Sequence, residues 1–307
     1  MHMEELVEYY LCIKITNPRT AINYESIVKR FCVCCPHVSI QDIQYRDIKR
    51  WKNIILENAS TTTWNTYLRH MKALFNFAFK KELIAHNPFD DMSFAPKITR
   101  CKKTIQNGTI SEIIDIIQSD PQRYQPDWFW SRMTRFLYLT GIRRRQLVHI
   151  VWEHIDFEQQ TLLICASGSK NYTERKIPLA RTLLNDLRYL QRKHRELGRY
   201  SPVEQIFNIT RFNEKYAGST LKVDQITGFY KRLKKHTGIS VSPHRFRHTM
   251  ASQLGNIPNV NILTVSNILG HSDLRVTQEY VETDLRPQLE LVKTLEQHLT
   301  KKIKQSQ

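Results

Sequence analysis

The stretch SPHRFRHTMASQL, residues 242–254, packs two histidines and two arginines into the opening turns of an amphipathic helix. Phe246, Met250 and Leu254 recur at i, i+4 and i+8, a stripe that turns one face toward a core. Ser242 can cap the helix, and Pro243 suits its first turn. His244 and Arg247 are three apart and project together near the start. Backbone N–H groups gather at a helix N-terminus and favour anions. The stretch therefore predicts a cationic helix start directed at a phosphate.

The charge of the whole chain points the same way. Its 307 residues carry 46 Lys+Arg against 29 Asp+Glu, a formal +17, and the pI is near 9.7. Residues 1–95 hold 12 basic and 10 acidic residues, so +15 of the excess lies beyond them. Such an imbalance suits a polyanionic partner, nucleic acid first. No run approaches the roughly 18 apolar residues of a membrane span, so no membrane partner is expected. The acidic start MHMEELVEYY lacks the apolar core of a secretion signal. Six cysteines are too few for a disulfide scaffold. In CVCC, residues 32–35, two cysteines are adjacent and only His37 is a further nearby ligand, so these read as thiols packed at a helix end. A reducing, cytoplasmic setting fits.

Outward from the quoted helix, the pattern predicts a mainly α (α+β) fold. Residues 1–92 read as a helical unit, with PRTAINYESIVKRF (18–31), YRDIKRWKNIIL (45–56) and a long helix through TTTWNTYLRHMKALFNFAFKKELI (61–84). Asn87 before Pro88 in HNPF is pushed from helical angles and closes that unit. Residues 93–107 form a basic linker containing Pro96, either a solvated tether or a segment along a phosphate backbone. Residues 108–307 are mostly helical, with helices expected at 110–119, 127–139, 144–150, 181–197, 222–236, 243–254, 260–269 and 274–281. A small antiparallel sheet is expected from TLLICA (161–166) and RKIPL (175–179), with a polar turn between them. Leu285, Leu289, Val292, Leu295 and Leu299 follow helical spacing, giving a last helix at about 283–304.

Four clusters could do chemistry. LTGIRRRQL sets Arg143 just after a Thr-Gly turn, and SGSKNYTER presents Lys170 at a hairpin tip. HRFRH offers His244 and Arg247, and LGHSDLRVTQEY offers His271 with Tyr280 nine residues later. Singly, each reads as surface charge or ordinary packing. Together, two guanidiniums can grip phosphate oxygens, histidine can move a proton, and a tyrosine hydroxyl can act as a covalent nucleophile. No Asp/Glu cluster has metal-ligand spacing and no GxxxxGK[ST] loop is present. Neither a metal nor ATP, nor any other cofactor, is expected.

The order and spacing of TGIR (140–143), Lys170 ahead of Arg175 and IPL, HRFR (244–247), LGH (269–271) and Tyr280 resemble the tyrosine recombinase (phage integrase) family. The resemblance extends over essentially the whole chain, since residues 61–89 also look like that family's core-binding domain, Asn-Pro-Phe ending included. It implies a site-specific recombinase that cleaves and rejoins DNA, for integration or excision, through a 3′-phosphotyrosyl link. Tyr280 would be the nucleophile, Arg143 and Arg247 the phosphate clamp, Lys170 the general acid, and His244 and His271 the proton-transfer partners. Lys176 is an alternative to Lys170. Asn65, Arg69, Lys72, Lys102 and Lys103 are the candidate DNA-contacting residues. The implied partners are duplex DNA with paired inverted sites, a homo-tetramer on that DNA, and accessory DNA-bending or directionality proteins. The implied setting is the nucleoid of a bacterium, with the gene bacterial or carried by a phage or mobile element. The last helix would pack on its own domain or pass to a neighbouring protomer. Rival readings are strand relaxation of the type IB topoisomerase kind and a catalytically silent DNA-binding regulator. Two positions depart from the family pattern: Gln146 stands where Glu is usual, and His154 occupies a turn position that is often acidic.

Overall fold

The computed structural model describes residues 1–36, 39–96, 104–106, 108–165, 174–198, 200–216, 218–258, 260–270 and 273–281, together with 289, 292 and 293. Two compact units, Met1–Arg100 and Cys101–Gln307, make up the chain. The fold is mainly helical with one small antiparallel sheet.

The first unit contains α1 (Met3–Ile13), α2 (Pro18–Cys34), α3 (Tyr45–Asn58) and α4 (Thr61–Lys80). Asn17 caps α2 ahead of Pro18, and Ser60 caps α4 by accepting the Thr63 N–H. The apolar stripes meet in an aromatic core: Phe31, Trp51, Trp64, Phe75 and Phe89 are fully buried. Phe31 meets Trp51 edge-on at 5.2 Å, and Trp51 meets Trp64 at 5.5 Å. The long helix stops at Lys80, four residues before the expected end, because the chain turns with Glu82 at φ 58°. That turn brings Phe89 back against Phe75 at 4.8 Å and leaves Phe79 half exposed despite its place in the stripe. Asn87 organises the return: its side-chain oxygen accepts the Phe89 N–H, and its amide donates to Asn76 and Asp90. Cys35 is buried and Cys32 and Cys34 are partly so at the end of α2. Burial, then Glu4, pushes the Cys32 thiol up to about 12, so these are packed thiols.

The second unit runs α5 (Thr109–Ser119), α6 (Asp127–Thr140), α7 (Arg144–Leu147), β1 (Ile155–Asp156), β2 (Thr161–Ile164), β3 (Arg175–Pro178), α8 (Arg181–Glu196), α9 (Val223–Thr237), α10 (Pro243–Gly255), α11 (Ile262–Leu269) and α12 (Leu274–Val281). The helix expected at 144–150 is a single turn. Backbone beyond it is drawn away to residues 205 and 206: Val151 bridges Gln205, and the Ile206 N–H donates to the Ile150 carbonyl. The sheet has order β1-β2-β3, with Leu162 opposite Ile155 and Ile177, and Ile164 opposite Arg175. Trp130 of α6 stacks on Phe229 of α9 at 3.9 Å, fixing two long helices face to face in the core. Lys170, Lys102, Lys103 and His271 lie outside the described residues, as does the expected last helix apart from Leu289, Val292 and Lys293.

His194 sits inside this core, 1% exposed, with Nε2 against the Ile206 carbonyl at 3.1 Å and Trp152 and Phe212 at its edges. Burial holds its pKa below the ordinary 6.5 despite Glu204 beside it, and burial lowers that of half-buried His154 as well. Unfolding therefore exposes groups that bind protons more readily than the native ones. Their contribution is fully present above pH 6.5 and is lost as pH falls below it. A urea-midpoint titration should decline from pH 7.5 to 5.5, and His194→Gln should flatten that decline; equal slopes for both proteins would contradict the assignment.

Candidate active site

The second unit gathers its site at four element ends. Ser242 caps α10 through the Arg245 N–H, and Pro243 opens the helix, so His244 and Arg247 leave its first turns on one side. Arg247 then points inward and is 3% exposed. One terminal nitrogen donates to the Gly141 carbonyl at 2.7 Å and the other to the Leu269 carbonyl at 2.6 Å. These carbonyls close α6 and α11, and helix C-termini carry the partial negative charge that suits a guanidinium. Burial, then the charge of Arg143, carries Arg247 down to about 9, with Tyr280 pulling the other way and Arg175 adding to the fall. The group stays cationic at neutral pH.

Gly141 ends α6 in the left-handed region at φ 58°, and a Cβ there would lie 2.5 Å from the Met250 sulfur. Past the turn, Arg143 comes into electrostatic reach of Arg175 and Arg247. Gln146, 1% exposed, accepts the Arg143 backbone N–H at 2.9 Å through its side-chain oxygen, while its amide nitrogen meets no acceptor among the described residues. The amide thus supports the loop where a carboxylate was the family expectation. Burial lowers the Arg143 pKa, and Tyr280 opposes that shift.

Tyr280, on α12, is 3% exposed in a small core with Ala251, Val265 and Leu269. Its ring lies 5.2 Å from that of His248, and the His248 ring lies 4.0 Å from that of His244. The Nε2 atoms of His244 and His248 are 2.7 Å apart, so one ring donates and the other accepts. The structure therefore brings Arg143, Arg247, His244 and Tyr280 together, with His248 between the last two. The i, i+4 step from His244 within the quoted stretch is the signal that could have marked His248.

A second unforeseen member comes from the sheet. On β3, Arg175 and Ile177 share the inward face, whereas Lys176 is exposed on the other. Arg175 is pushed down to about 10 by burial and then by Arg143, which places it in the same electrostatic cluster. Strand alternation alone could have sent Arg175 inward. At the hairpin base, His154 accepts the Val151 N–H through Nδ1 and holds the Cys165 sulfur 3.1 Å from Nε2.

In the first unit, both halves of the Asn65 amide are engaged by the Ala95 backbone, at 2.9 and 2.8 Å. Lys72 donates to the Asp90 carbonyl at 3.0 Å and, with Arg69, flanks the half-exposed Phe94 ring. Asn65 thus has a structural task, and Arg69 and Lys72 remain on the exposed side.

The pattern of the phage integrase family matches residues 103–286, and that of the phage integrase SAM-like domain matches residues 3–99. The chain belongs to the phage integrase family. A Pseudomonas aeruginosa protein provisionally named tyrosine recombinase XerC is 30% identical over 301 residues, covering 92% of this chain and 69% of that protein. A similarly named Pseudomonas syringae protein is also 30% identical, and the alignment covers 62% of its length. Among solved structures, the integrase of transposon Tn1549, bound to transposon right-end DNA, superposes with TM-score 0.75 at 20% identity, over 91% of this chain and 94% of that one. A lambda integrase dimer on a core site gives 0.71 at 19%, over 93% and 97%. At these identities the structural likeness concerns the fold, and this integrase-family chain shares it across both units.

Because Gly141 carries the left-handed turn that sets Arg143, Gly141→Ala should cost about 1–2 kcal/mol of unfolding free energy. Urea denaturation of the two proteins measures it, and an unchanged midpoint would remove the conformational requirement from that turn.

Proposed function

We propose that the protein is a site-specific tyrosine recombinase that breaks and rejoins DNA strands through a 3′-phosphotyrosyl intermediate, to integrate or excise DNA. The observation that carries this reading is the position of Tyr280: it packs on α10 and α11 with its hydroxyl in electrostatic reach of both Arg143 and Arg247. In the proposed step the Tyr280 oxygen bonds to the scissile phosphorus, the bond to the 5′ oxygen breaks, and Lys170 gives that oxygen its proton. Arg143 and Arg247 neutralise charge that grows on the non-bridging oxygens. His244, and His271 by motif position, receive or share the tyrosine proton. The phosphate ester keeps the energy of the broken bond, so a second 5′ hydroxyl can reverse the step without ATP.

The net +15 carried beyond residue 95 supports a duplex held mainly by phosphate contacts, with binding that weakens steeply as salt rises. Arg69, Lys72, Lys102 and Lys103 extend that contact, with paired inverted sites and a tetramer as the working assembly. A nicked duplex bearing the protein's own site should trap a covalent protein–DNA band that Tyr280→Phe abolishes. A band that persists in Tyr280→Phe removes the nucleophile assignment, and no band with the intact protein favours the regulator.

A further inference from the structure

We propose that Arg175 is a third phosphate-binding guanidinium of this site, presenting the edge formed by Nε and Nη2 to two oxygens of one phosphate. The proposal rests on the recombinase reading for the identity of its ligand, a DNA backbone phosphate, and on the structure for the anion site itself.

The surroundings of Arg175 differ from those of every other half-buried arginine described in this unit with named partners. Arg132 and Arg135 share Asp186, at 3.3 and 2.6 Å, and Arg211 pairs with Glu204. Arg247 is tied to two helix-end carbonyls. Arg175 has neither kind of partner: its Nε and Nη2 are sealed from solvent and meet no acceptor among the described residues. Its nearest charged influence is another cation, Arg143. Burying a cation beside a like charge with unmet N–H groups costs free energy that an arriving anion would offset.

The fold goes out of its way to seat this side chain. β3 turns Arg175 inward beside Ile177, and the guanidinium lies over Gly270, where any Cβ would overlap it. Gly270 ends α11 at φ 63°, one residue after the carbonyl that Arg247 holds. The Gly270 side of the guanidinium is its Nη1 corner. The opposite edge, Nε with Nη2, has two parallel N–H groups at the spacing that bidentate phosphate recognition requires. Arg247 is therefore fixed by the protein, whereas the covered Arg175 edge keeps two N–H groups without an acceptor among the described residues.

The test compares the full-length protein with Arg175→Met and Arg175→Lys. Thermal unfolding is followed with and without inorganic phosphate at constant ionic strength, and covalent capture is followed on a nicked duplex of its own site. Without phosphate, Arg175→Met should melt at or above the parent, because an unpaired buried cation has been removed. Phosphate should raise the parent's melting temperature and raise that of Arg175→Met by less than half as much. Capture should slow at least tenfold in Arg175→Met, with Arg175→Lys between the two, since lysine keeps the charge and loses the fork. A lower melting temperature in Arg175→Met with an undiminished phosphate response would make Arg175 a structural residue and overturn the proposal. Equal capture by parent and variant would overturn it while leaving the recombinase reading intact. An Arg175-dependent phosphate response in a parent that captures no DNA would uphold the anion site and defeat that reading.

Discussion

The buried guanidinium of Arg247 is the interaction on which the site depends. Three sequence segments far apart in the chain meet because one planar fork bonds the carbonyl of Gly141, just past α6, and that of Leu269, the last of α11, while its own backbone belongs to α10. Helix ends leave carbonyls without intrahelical partners, and a cation placed between two such ends satisfies both at once. Everything that follows those ends in sequence is thereby delivered to the same place: Arg143 two residues after Gly141, and Gly270 one residue after Leu269. The glycines are needed because each chain must turn sharply at φ near +60° beneath a side chain that leaves no room for a Cβ.

That arrangement has an electrostatic consequence. Burial lowers the proton affinity of Arg143, Arg175 and Arg247 alike; Arg143 lowers that of the other two further, and Arg175 adds to the fall at Arg247. Elsewhere in the unit arginines are balanced by Asp186 or Glu204, whereas among the described residues no carboxylate pairs with this trio. A carboxylate would stabilise the protein by itself and would compete with a phosphate for the same N–H groups. Gln146 fits this logic. Its oxygen supports the Arg143 backbone as a carboxylate would, yet it adds no negative charge to the cluster.

Much of this was legible before any coordinates. The stripe Phe246, Met250, Leu254 and the cap Ser242–Pro243 set α10, and both Phe246 and Arg247 are buried as one face of it. Ordered motifs picked out Arg143, His244, Arg247 and Tyr280, and the fold brings these four together. What escaped notice depends on tertiary context. Local spacing gave no reason to end α4 at Lys80, since Phe79 and Leu83 continue its period; the return of Phe89 onto Phe75 decides it. The helix after Arg144 was overestimated because the backbone near Ile150 is claimed by residues 205 and 206. Arg175 looked like one more basic residue in a strand; alternation with Ile177 turns it inward, and the closeness of Gly270 shows what its guanidinium meets there.

Tyr280 shows how the same packing that builds the core prepares the chemistry. Its ring fills a small apolar cluster with Ala251, Val265 and Leu269, all on α10 or α11, so α12 docks on the two helices that Arg247 already joins. The aromatic ring supplies the contact area, and the residue stays in electrostatic reach of Arg143 and Arg247. His248 lies against that ring and shares a proton with His244 through nitrogens 2.7 Å apart. In the proposed attack on phosphate the tyrosine must lose a proton as the bond forms, and the His248 ring, hydrogen-bonded to His244, lies 5.2 Å from the Tyr280 ring. Moving α12 to another protomer would take Tyr280 away from His248 and from the guanidiniums of its own chain, so the proposed nucleophile would leave its supporting charges behind.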